Sequence, residues 1–183
     1  MPAEAPPPGF GRLTRALHWT MAAGILFTLA LGLYVARMEP GLSNLWLYGL
    51  HKTCGAMLLA LALLRLGWHV GHPPPGPLPG PPAWAMTLAR ATHRALYALM
   101  LAVPLSGWAY ASATGLDVLV FGGVRLPAIA PVSEAWEDAL HLAHILLTRL
   151  MLALILLHVA GALRRALVER DGTLARMTTG RRG

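Results

Sequence analysis

Charge is scarce in this 183-residue chain: Asp, Glu, Lys and Arg supply 13% of it, about half the roughly 25% usual for a soluble domain. Only 8 residues are acidic. A chain so poor in charge lacks the polar cover that a water-exposed fold of this size needs, which excludes an ordinary soluble globular protein. Cysteine is nearly absent. The single Cys54 rules out an internal disulfide framework and the C-x-x-C-H signature of thioether-attached haem, and reads as a small packing residue. The net charge of +7 does not indicate nucleic acid, because the basic residues flank apolar runs and build no interleaved basic and aromatic surface.

What the chain has is apolar length. Hydrophobic residues make up 56% and the mean hydropathy is +0.54. Crossing a hydrocarbon core of about 30 Å takes about 20 helical residues at about 1.5 Å each. Four runs meet that need, about 16–36, 46–68, 91–112 and 139–163. The first is too long for a secretory h-region and has no A-x-A cleavage site, so it reads as a retained span. Between the second and third runs, His72–Pro82 holds seven prolines in eleven residues and predicts a stiff surface connection. The segment 113–138 is the longest loop, and a basic tail, 164–183, follows the fourth run.

The fold class expected is therefore an all-α integral membrane four-helix bundle forming a single domain over residues 1–183. Assigned to alternate ends, eleven basic residues fall at the end with the termini and four, Arg37, Lys52, Arg125 and Arg149, at the other. The positive-inside bias then places both termini in the cytoplasm and the 113–138 loop outside. Trp19, Trp46, Trp68, Trp84 and Trp136 fall near span boundaries, where amphipathic rings favour the interface.

Eight histidines are the chain's most informative feature, because ionisable groups at membrane depth are costly and usually functional. His69 and His72 sit at the inner end of the second span, where wetted imidazoles need no special role. His18 opens the first span at the inner boundary, His51 opens the second at the outer one, and His144 and His158 lie 14 residues apart on the fourth. At about 100° per residue those two share a face to within about 40° and stand about 21 Å apart along the axis. One helix thus offers an imidazole to each half of the membrane. That suits two stacked bis-imidazole irons with porphyrin slots between helices, His18 meeting His158 and His51 meeting His144. Zinc would want three or four close ligands of mixed type.

Two rivals stay open. His93 opens the third span at the depth of His18 and His158, and His141 precedes His144 by one turn. Gly24, Gly32, Gly55, Gly107 and Gly161 leave room for flat macrocycles or for close helices. Lys52 adjoins His51, and Arg149 lies five residues past His144. Such cations either meet haem propionates, snorkel to the interface, or attract a small anionic reductant.

Together, Ala16-Leu17-His18-Trp19, Leu50-His51-Lys52-Thr53-Cys54-Gly55, His93-Arg94-Ala95-Leu96-Tyr97 followed by Pro104 and Gly107, the His144/His158 pair and the Asp171-Gly172-Thr173-Leu174 turn resemble the bacterial cytochrome b561 family. The same segments are similar to the cytochrome b subunits of nickel-iron hydrogenases. The resemblance covers residues 10–178 and implies a multi-pass protein of the bacterial inner membrane with two b-type haems, axial ligands His18, His51, His144 and His158, and exchange of electrons with quinone. It places His93 near a propionate or quinone instead of on iron, and some members are described as oxidising superoxide. His141 and the proline density of 73–82 depart from the family pattern.

Three functions compete at this point. One is a stand-alone di-haem cytochrome linking a periplasmic donor, superoxide included, to quinone, which would make it a quinone-linked oxidoreductase with no catalytic side chain of its own. Another is a haem b anchor for a periplasmic dehydrogenase or hydrogenase. The last is a haem-free transporter or assembly protein with a histidine proton relay, which should carry a continuous polar file. Between His144 and His158 the fourth span has only Thr148 and Arg149 as polar residues.

Overall fold

Long apolar runs rich in Ala and Leu, interrupted by proline only at Pro104, form four antiparallel helices in the computed structural model, which describes residues 9–78 and 80–180. The helices are α1 (Arg12–Val35), α2 (Leu45–Gly71), α3 (Ala83–Ala113) and α4 (Glu134–Arg164). Each is long and apolar enough to cross a membrane. Pro79, the first eight residues, and Arg181 and Arg182 of the basic tail lie outside the described residues.

Two helices begin well before their apolar runs. α3 starts at Ala83 because extended Pro82 (φ −63°, ψ 155°) caps it, and the good helix formers Ala, Met and Leu carry the coil from there to the apolar stretch. α4 starts at Glu134, with Glu134 and Glu137 in its first turn, where acidic side chains complement the helix dipole. Hydropathy marks where lipid begins; propensity and capping decide where the helix begins.

The chain is not helical throughout the 113–138 loop. Val118–Val120 (β1) and Val124–Leu126 (β2) pair antiparallel around a turn whose central residues Phe121 (φ 52°) and Gly122 (φ 71°) are left-handed. That is the primed geometry which matches strand twist. The hairpin folds down on the bundle: Phe121 N–H donates to Thr53 Oγ1 at 3.2 Å, Lys52 Nζ donates to the Asp117 carbonyl at 3.4 Å, and Trp108 Nε1 donates to the Pro127 carbonyl at 2.9 Å.

At the opposite end α4 passes into a π-helical turn, Arg165–Glu169, and a short helix α5, Thr173–Thr178. Arg170 (φ 51°) and Gly172 (φ 78°) reverse the chain between them. α5 lies against α1, with Trp19 Nε1 donating to the Met177 carbonyl at 3.0 Å and Arg15 Nη1 to the Thr178 carbonyl at 3.2 Å. Arg165 donates from Nε to Asp171 at 2.6 Å and from Nη2 to the Leu78 carbonyl at 3.3 Å. Both described chain ends therefore meet over one end of the bundle.

Packing runs α1 on α2, α2 on α3, and most extensively α3 on α4, while α4 packs closely against neither α1 nor α2. On α4 only Met151 is buried. A bundle whose fourth side stands open has room for large apolar groups between its helices.

Candidate functional site

The open side of the bundle is where the histidines meet. His18 on α1 faces His158 on α4 with ring centroids 6.2 Å apart, and His51 on α2 faces His144 on α4 at 6.4 Å. Imidazole nitrogens bind first-row metals at about 2.0–2.1 Å, so two rings sharing one ion across a line hold their centroids about 6.3 Å apart. Both pairs stand at that spacing. Among the described residues no three His, Cys, Asp or Glu side chains are grouped to hold a metal. Pairs alone suit an ion whose other four ligands come from a macrocycle.

The His51–His144 level is shaped by backbone. A Cβ on Gly32 would stand 2.8 Å from His51 Cε1, and one on Gly107 would stand 3.0 Å from His144 Cε1, so both imidazoles occupy space that only glycine leaves. Pro104 within α3 removes one ladder N–H just where His144 meets that helix. The Val103 carbonyl accepts from Ser106 Oγ at 2.7 Å and from His144 Nδ1 at 3.1 Å, and His144 Nδ1 lies 2.9 Å from Ser106 Oγ. A carbonyl only accepts, so the His144 proton sits on Nδ1 and Nε2 keeps its lone pair, the arrangement of a metal-binding histidine. His51 Nδ1 is buried with no well-formed hydrogen bond; only the Thr28 backbone lies within reach. The glycine cradle and this pinned tautomer fit a haem.

The His18–His158 level is crowded by side chains. His93 lies 5.0 Å from His158 between centroids, closer than His18, and its Nδ1 donates to the Ala89 carbonyl of its own helix at 2.7 Å. That separation is too short for two rings sharing one ion end to end. Arg65, 9% exposed, donates from Nε to Tyr97 Oη at 3.2 Å, and Tyr97 Oη lies 3.1 Å from His69 Nδ1. Sequence reasoning left Arg65 among the boundary cations and His69 among the wetted histidines. Their membership in one part-buried cluster is a tertiary fact; the signal available was an arginine one turn inside its apolar run.

The remaining candidates separate. His141 stacks on Tyr110 at 4.8 Å and is exposed, with no ring contact to His51 among the described residues. His72 stacks on Trp68 at 3.5 Å. Lys52 stays beside His51, tied to the hairpin. The structure does not bring Arg149 to the same place: five residues turn it about 140° from His144, and it is exposed without an ion pair or hydrogen bond among the described residues. Arg90 and Arg94 are exposed on α3 beside His93.

A sequence profile described as prokaryotic cytochrome b561 matches residues 9–180. Cytochrome b561 homolog 2 of Escherichia coli K12 is 33% identical over 174 residues, covering 93% of this chain and 92% of that protein. A protein named probable superoxide oxidase CybB from Yersinia pestis is 27% identical over 167 residues, 91% of this chain and 94% of the relative. A cytochrome b562 of Cereibacter sphaeroides is 29% identical over 181 residues, 93% and 95% of the two chains.

Proposed function

Because this chain belongs to the prokaryotic cytochrome b561 family, and is thus a multi-pass haem b electron-transfer protein of the bacterial inner membrane, we propose that it is a di-haem cytochrome joining a periplasmic donor to membrane quinone. The observation that carries this is the pair of histidine levels across the open side of α4. His18 and His158 hold one haem; His51 and His144 hold the other. Bound haem supplies a one-electron carrier cycling between ferric and ferrous iron.

The chain's own residues do the rest. Ser106 and Val103 fix the His144 tautomer, and Gly32 and Gly107 set the ring positions. With both termini cytoplasmic, the hairpin and Lys52 face the periplasm. The Lys52 ammonium, held by the Asp117 carbonyl, draws a small anionic donor toward His51, and the relative named a superoxide oxidase makes superoxide the first donor to test. His93, with Arg90 and Arg94, sits at the opposite end where a quinone head group is expected. An accessory subunit role finds no specific support in the hairpin or in α5.

Haem per chain in purified protein tests the reading. Two haem b are expected, falling to one in each of His18→Ala, His158→Ala, His51→Ala and His144→Ala, since the pairs occupy different depths. A single haem in the wild type, or a histidine variant that keeps both, overturns the assignment. Reporter fusions after Gly183 and within 113–138 test the orientation.

A further inference from the structure

Arg65 is a cation with no counter-ion among the described residues. It is 9% exposed on α2, and none of the ion pairs among the described residues includes it. The carboxylates of the termini end are paired elsewhere, Glu169 with Arg164 and Arg165 and Asp171 with Arg165. A guanidinium at membrane depth is costly unless it meets an anion.

Its surroundings specify where that anion sits. Nε is engaged by Tyr97 Oη at 3.2 Å, and the guanidinium carbon stands 5.3 Å from the centre of the Tyr97 ring. Tyr97 in turn is free to donate to His69 Nδ1, 3.1 Å away. Thus the side chain is held at its inner edge, while Nη1 and Nη2 make no hydrogen bond among the described residues. Trp68 Nε1 donates to Thr14 Oγ1 at 3.2 Å and Gly24 faces Leu58, so the antiparallel register of α1 and α2 sets Arg65 at the depth of His18. The fork geometry of two N–H groups matches a carboxylate.

We infer that Arg65 binds a propionate of the haem at the His18–His158 level, with Tyr97 and His69 as positioning residues. This rests on the two-haem reading. Arg65 is the anchor that makes this level tolerant of a third imidazole and of sparse backbone support. It also explains why a buried arginine without an acid survives in the span: the haem brings the acid.

The test is haem transfer from the full-length protein in detergent to an excess of apomyoglobin, followed separately at the two levels by using His51→Ala and His18→Ala to assign the phases. A charge-assisted bidentate contact predicts that Arg65→Gln releases haem from the His18–His158 level about tenfold faster or more, leaving the other phase unchanged. Arg65→Lys should be intermediate and Tyr97→Phe smaller. Wild-type protein loaded with haem dimethyl ester, which has no carboxylate, should show the same fast phase, and Arg65→Gln should then add nothing.

Equal release of haem and its ester from the wild type overturns the inference without any variant. If Arg65→Gln speeds release of the ester beyond the wild type's own rate for the ester, Arg65 acts on something other than a propionate, a free anion or lipid headgroup among them, and the inference is also overturned. A wild type with one haem per chain defeats the two-haem reading itself, so the two failures are distinguishable.

Discussion

At the His51–His144 level the imidazoles are set by backbone, whereas at the His18–His158 level they stand among side-chain charge. The first has two glycines within contact of the rings, a carbonyl and a hydroxyl on His144 Nδ1, and a hairpin tied across the helix ends. The second has Arg65, Tyr97 and His69 linked to one another, with His93 against His158. Backbone contacts cannot be exchanged by rotamer changes, so the hairpin-end level is sterically specified. Side-chain networks adapt, so the termini-end level is specified electrostatically.

The comparison breaks most visibly at the glycines. Any side chain at Gly32 must displace His51, since even a Cβ lies 2.8 Å from its ring. Gly32→Val and Gly107→Val are expected to abolish haem at the His51–His144 level and to leave the other, halving haem per chain. Gly24→Ala is the control, because its Cβ meets only the flexible end of Leu58, at 3.0 Å. If the glycine variants keep two haems with unaltered spectra, steric specification of this level is wrong.

Next in size is His93. It touches His158 but not at the spacing for a shared ion. His93→Ala should keep two low-spin haems and perturb only the band assigned to the His18–His158 level, while His18→Ala removes that band. Loss of a haem in His93→Ala with retention in His18→Ala would exchange their roles.

The four spans and the placing of His144 and His158 on one face at two depths were legible in the sequence because both are local facts, apolar length and a 14-residue spacing on one helix; which histidine meets each of them was not, with His93 and His141 standing as rivals until the helices are placed. The hairpin was not, since three-residue strands give almost no periodicity and its turn places Phe121, a non-glycine, at positive φ. Arg65 and Arg149 show the limit best. Both are arginines inside apolar runs, and the chain order alone suggested Arg149 as the neighbour of a histidine. The fold turns Arg149 outward and Arg65 inward, because a residue's face depends on which sides of its helix are covered, and that is decided by the other three helices.

A smaller effect concerns Lys52. Its ammonium adjoins His51, but it is already shared with the Asp117 carbonyl, and Arg125 and Asp117 neutralise each other at 2.7 Å. One cation should raise the rate of haem reduction by superoxide roughly a few-fold at low salt, fading as the screening length falls to about 8–10 Å. Lys52→Gln should lose that increment and its salt dependence, while Arg149→Gln should change neither. Equal rates in Lys52→Gln and wild type at every salt concentration would remove the steering role.

The smallest effect lies farthest from the haems, where Asp171 fastens α5 over the termini end. Burial pushes its carboxyl upward, but the hydrogen bonds from Thr173 and Arg165 and the Arg165 charge outweigh that and hold it below the ordinary value of 3.8. A carboxyl depressed in the folded state stabilises above its unfolded value and loses that contribution as pH falls through the folded one. Docking of α5 should therefore be constant from neutral pH down to about pH 4 and loosen only below it. Asp171→Asn should reproduce the loosening at pH 7, because Asn keeps the shape and loses the charge that holds Arg165. Amide exchange across Thr173–Thr178, corrected for its intrinsic pH dependence, reads this out, with haem content unchanged throughout. Faster exchange in the wild type between pH 7 and 5 would remove Asp171 as the fastener.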